Sequence, residues 1–84
     1  MKPYKTLRFA IGEIPAGLRR SHSLKAEVRG VLRVLEGDLV FVDEVGSRTH
    51  VTQGKSIPID AESSHHLEDA ESASIEIDFF RTKE

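Results

Sequence analysis

The sequence predicts an all-β barrel or sandwich, and three observations carry that prediction. At least five segments alternate apolar with polar residues, so every second side chain would share one face of a strand. Turn-forming residues punctuate the chain at spacings of about 8–12 residues, the rhythm of short antiparallel strands. No segment keeps a helical period over eleven residues; the best candidate, 21–35, is interrupted by Gly30 and by β-branched side chains.

The chain is organised around residues 31–42, VLRVLEGDLVFV. Two apolar arms flank Glu36-Gly37-Asp38, which reads as a hairpin with Leu32 and Val34 on one face of its first arm. Before it, residues 1–9 form a first strand and Pro15-Ala16-Gly17 turns the chain. Residues 18–24 alternate again, so that Leu18, Arg20, His22 and Leu24 share a face; if the leucines point to the core, His22 does too. Residues 25–30 read as a connection.

After the central stretch, residues 43–47 form a loop on Gly46, and 48–52 a strand with His50 opposite Thr49 and Val51. Residues 53–55 turn into a strand over 56–59, which Pro58 confines to an edge because it cannot donate to a ladder. Beyond a polar loop, residues 64–68 place His65 and Leu67 on one face and His66 and Glu68 on the other. A second loop leads to 74–80, where Ile75, Ile77 and Phe79 alternate with Glu76, Asp78 and Phe80. That makes seven or eight short strands.

The length of 84 residues suits one domain, 1–84, with a core spanning about 4–81. A chain this short buries only roughly 60–65% of its unfolded surface, so a homodimer that adds buried area is expected. Phe79 and Phe80 support the same expectation, since neighbours in a strand face opposite sides and a lumen can cover only one. A net charge of −2 supplies no basic field, which argues against nucleic acid as a partner. With no cysteine, disulfides and thiolate metal sites are excluded. No apolar run approaches the ~18 residues of a membrane span and the N-terminus lacks a signal-peptide core, so a cytoplasmic location without a membrane partner is expected.

Four blocks, in order, carry a resemblance. They are Pro15-Ala16-Gly17-Leu18 leading to His22, Val34-Leu35-Glu36-Gly37, His65-His66-Leu67-Glu68, and Ile75-Glu76-Ile77-Asp78-Phe79-Phe80, together spanning about residues 14–81. In these the chain resembles the cupin superfamily, and within it the small TehB/YeaR-like subfamily associated with tellurite resistance. The second cupin motif, aligned from Gly54, puts His65 in the histidine slot, while Asp60, Glu62 and Asp69 stand in the proline, glycine and asparagine slots. The resemblance implies a jelly-roll barrel (a double-stranded β-helix) able to hold a divalent metal, with a role linked by name to oxyanions or stress.

The first motif departs from the metal-binding pattern. Counting back from Gly37, the glutamate slot holds Gly30 and the histidine pair falls near Ser23 and Lys25, with only His22 close by, one residue out of register. The candidate metal residues are therefore His22 and His65, with Glu68 and Asp78 as nearby carboxylates. Two neutral imidazoles suit zinc, iron, nickel or copper, and such a site needs a third ligand. Alternation sets Glu68 on the face opposite His65, and Asp78 opposite Ile77 and Phe79; a bulge would reverse either. A lone strand histidine also serves as a hydrogen-bonded core residue, His66 and His50 read as interfacial or surface groups, and Arg19 or Arg20 facing the mouth would hold an anion.

Three functions stay open on these residues. One is a module binding a metal, a small molecule or an anion; the second is an enzyme using the metal as a Lewis acid or oxygen activator; the third is a metal-free structural or sensing barrel. No phosphate loop or nucleophile elbow is present. Ser64 and His65 are adjacent strand residues and so point apart.

Overall fold

In the computed structural model, which describes residues 2–20 and 23–81, two antiparallel sheets face each other across one apolar core. The strands are β1 (Lys5–Phe9), β2 (Val28–Glu36), β3 (Asp38–Val42), β4 (Arg48–Thr52), β5 (Ser56–Ile59), β6 (His66–Glu68) and β7 (Ser74–Arg81). One sheet runs β1-β7-β2-β5 and the other β4-β3-β6, a two-sheet jelly roll of the cupin type. Among the described residues no helix is long and apolar enough to cross a membrane.

The alternation read for residues 31–34, 64–68 and 74–80 is the alternation observed. Leu32 and Val34 on β2, Leu39 and Phe41 on β3, Val51 on β4, Leu67 on β6 and Ile75 and Ile77 on β7 are all buried between the sheets. β5 lies at an edge, paired only with β2, and Pro58 sits opposite Val31 without breaking the ladder.

The central stretch is a correction. β2 and β3 are not a hairpin: β2 is bonded to β7 and β5, while β3 is bonded to β4 and β6. The chain changes sheets at Gly37 instead. A bulge between Val34 and Glu36 bends the end of β2, and Gly37 takes φ +74° to turn the corner. The two arms look alike in sequence because each buries one face against the other sheet, and burial does not reveal which edges pair.

The segment 18–24 is a second correction. Its first part is a 3-10 turn, Ala16–Arg19, closed by the Leu18 N–H donating to the Pro15 carbonyl at 3.0 Å. Pro15 stands at the N-cap in extended backbone, φ −60° and ψ 147°, a conformation its ring favours. Leu18 and Leu24 do both pack against the core, Leu18 from this 3-10 turn rather than from a strand. The turn lies beside β6. Leu24 makes an isolated parallel bridge with Ala61, and the Glu62 N–H donates to the Leu24 carbonyl. The expected connection over 25–30 is shorter than read, since β2 already begins at Val28.

Candidate functional site: the mouth of the barrel

One end of the two sheets is open. There the β3–β4 loop, the end of β5 and the β5–β6 loop surround a cavity of about 320 Å³. Its inner wall is Phe41, Ile57 and Ile59; Thr49, Ser63, Ser64 and His65 add polar groups, and Asp43, Glu44 and Asp60 stand at the rim. Thr49 lies opposite Phe41 in the β3–β4 register, so the open end continues the inward-facing rows of the core.

His65 is the chemically versatile group of this wall. It is only 4% exposed, sharing the inward face with Leu67 as alternation requires. Its ring stacks on Phe41 with centroids 5.5 Å apart and planes 20° from parallel. Nδ1 lies 3.0 Å from the Ser63 carbonyl oxygen. A carbonyl only accepts, so Nδ1 carries the proton and, in the neutral ring, the lone pair is on Nε2. That oriented ring can accept a hydrogen bond or bind a metal through Nε2.

The structure separates the other candidates from it. Glu68 projects from the outer face of the small sheet, where it accepts from His66 Nε2 at 2.8 Å and pairs with Arg48 at 2.5 Å. Those two partners, the His66 hydrogen bond foremost, hold its carboxyl below the usual carboxylate range. Asp78 is on the outer face of the larger sheet and accepts from the Thr6 hydroxyl at 2.6 Å. Neither strand carries the bulge that would turn these carboxylates inward. His22 lies outside the described residues. His50 is a surface group paired with Asp38 at 2.5 Å, as its parity implied.

Among the described residues, then, no three His, Asp or Glu side chains converge on a point that would hold a metal, and His65 alone of the candidate set reaches the cavity. Gly30 gives a physical reason. It is buried and faces inward, and a Cβ there would lie 3.4 Å from Leu24 Cδ1 and 3.6 Å from Ile59 Cβ. The slot carries no carboxylate, and a side chain there would start in van der Waals contact with leucine and isoleucine.

Phe41, Thr49, Ser63 and the rim carboxylates were missed in the sequence. Parity with Leu39 and Val51 marks Phe41 and Thr49 as inward-facing. The rim residues sit on loops, where no periodicity exists to reveal direction.

A family model, the TehB-like domain, matches residues 5–77 of the chain. Among solved structures, TehB from Haemophilus influenzae superposes with a TM-score of 0.82 at 22% identity, over 94% of this chain and 30% of that one. A protein from E. coli strain K12 superposes with a TM-score of 0.83 at 18% identity, over 98% of this chain and 91% of that one. A cupin protein from Bacteroides fragilis gives 0.67 at 14% identity, over 90% and 62%. The chain thus spans under a third of the Haemophilus protein but nearly all of the E. coli one. No curated protein matches it in sequence.

Proposed function

Given that the chain belongs to the TehB-like domain family, we propose that it is a binding module whose site is the barrel mouth, with His65 as the ligand-contacting side chain. The observation that carries this is the buried, oriented imidazole on the wall of an open cavity. A cavity of about 320 Å³ falls at the lower end of small-ligand sites, which run about 300–1,000 Å³. Apolar walls with a few placed polar groups are also the usual lining of such sites.

A second reading, a divalent metal at the same mouth, is favoured by the Nδ1 hydrogen bond, since metal-ligating histidines commonly donate their other nitrogen to a carbonyl or carboxylate. It requires His22 to join His65, together with a third ligand, and zinc, iron, nickel or copper are the metals suited to imidazole. Activity of an enzyme would follow metal loading in that reading. The tellurite association implied by the family resemblance makes an oxyanion a further candidate for the mouth.

Elemental analysis of untagged protein, followed by metal titration and ligand titration of His65→Ala and His66→Ala, tests both readings. His65→Ala weakens binding at least tenfold, about 1.4 kcal/mol, and His66→Ala leaves it nearly unchanged. Equal losses in the two variants, or none in either with folding intact, would refute the site.

A further inference from the structure

Charge at the mouth distinguishes ligand classes. The whole chain is nearly balanced, with 12 Lys and Arg against 14 Asp and Glu. The cavity lining is not: among the described residues it contains Asp43, Glu44 and Asp60 and no lysine or arginine. We propose that the mouth takes a small organic cation, an amine with an apolar body, in preference to an oxyanion. This rests on the mouth being the binding site, as proposed above.

The lining supports that chemistry in two layers. Phe41, Ile57 and Ile59 form an apolar wall able to cover a short hydrocarbon body, with His65 buried beside them as a hydrogen-bond partner. The carboxylates stand further out, at the level where a charged head group meets solvent. Asp43 is fixed there: its Oδ1 accepts from the Val45 and Ser47 N–H groups at 3.1 and 2.9 Å, which holds the carboxylate in the loop. Asp60 pairs with Arg29 on β2, 3.8 Å away, with both side chains more than half exposed, so solvent weakens the pairing. An anion entering here meets carboxylates alongside the hydroxyl donors Thr49, Ser63 and Ser64. A cation meets a field of the opposite sign, strengthened by the low-dielectric walls beneath.

The test uses the full chain and nitrogen-15 heteronuclear NMR, titrating n-butylamine (protonated at neutral pH), butyrate and tellurite at low ionic strength. The amine is expected to shift Thr49, Ser63 and His65 with an apparent Kd about tenfold below that of butyrate, about 1.4 kcal/mol of charge preference. Added salt narrows the ratio, and the double variant Glu44→Gln, Asp60→Asn brings it towards one. Butyrate or tellurite shifting the same residues as tightly as the amine would overturn the charge preference while leaving the mouth as a site. No shift with any probe overturns both the preference and the site.

Discussion

His65 lies nearly parallel to Phe41 across the β3–β6 side of the core, 5.5 Å between ring centroids, and this stack holds the imidazole against the cavity wall. Both rings are buried, and the Ser63 carbonyl fixes the rotation of the imidazole from its other edge. The Phe41 ring and the Ser63 carbonyl together orient the polar group proposed to meet ligand.

Replacing the Phe41 ring separates packing from binding. Phe41→Leu keeps an apolar side chain of similar reach and is expected to cost about 1–1.5 kcal/mol of stability. The larger consequence is for the ring: His65 loses its stacking surface, and its side-chain resonances should broaden or split. Thermal melting with imidazole NMR checks both, and an unchanged His65 spectrum would mean the stack does not hold the ring.

The corner between the sheets is the most sensitive backbone position. A Cβ at Gly37 would lie 2.2 Å from the Ser72 carbonyl oxygen, at a φ of +74° that side chains rarely adopt. Neither partner is a flexible side-chain end, so the backbone must move. Gly37→Ala is expected to cost about 3 kcal/mol through the clash and the strained φ together. That corresponds to a fall in Tm of roughly 12–24 °C, read by calorimetry. Gly46→Ala, where a Cβ meets nothing within 4 Å, is the control: it carries the φ penalty without the clash.

Acid should weaken the small sheet through Glu68. Its folded-state pKa lies below 4.5, chiefly through the His66 hydrogen bond and then Arg48. The stability from this depression is fully present above the unfolded-state pKa and is lost as pH falls through the folded one. Glu68→Gln removes it, so the variant's Tm should fall less steeply than the parent's below about pH 4.5. Parallel Tm–pH curves for the two proteins would show that the ion pairs contribute nothing.

Self-association remains an expected outcome on the outer face of the larger sheet. Phe79 packs against the core with Lys5 over its ring, while Phe80, one residue on, is half-buried beside Arg29 in the β2–β7 register. Burying such a ring fully contributes about 1.5–3 kcal/mol. Sedimentation velocity at high micromolar concentration should give a dimer, weakened by Phe80→Ser; monomer alone in both would exclude it.

How far the chain can be read from sequence differs between its parts. The inward rows of β2, β6 and β7 were legible because strand geometry gives alternation a fixed direction, and the same rule put His65 inside and His66 outside; the apolar run of β3 has no alternation to read. Pro58 at an edge and Gly54 in a turn follow equally locally from φ and the missing donor. What tertiary structure alone decided is which edges meet. Glu36-Gly37-Asp38 has the residues of a hairpin turn, yet the clash space beside Ser72 and the bulge in β2 make it a corner between sheets. Leu18 reaches the core from a 3-10 turn because Pro15 starts one, and contact with β6 holds it there. The cavity belongs to the same class of fact. Asp43, Glu44, Asp60 and Ser63 come from two loops separated in sequence, and only the packing of β3, β4 and β5 brings their carboxylates and His65 to one opening.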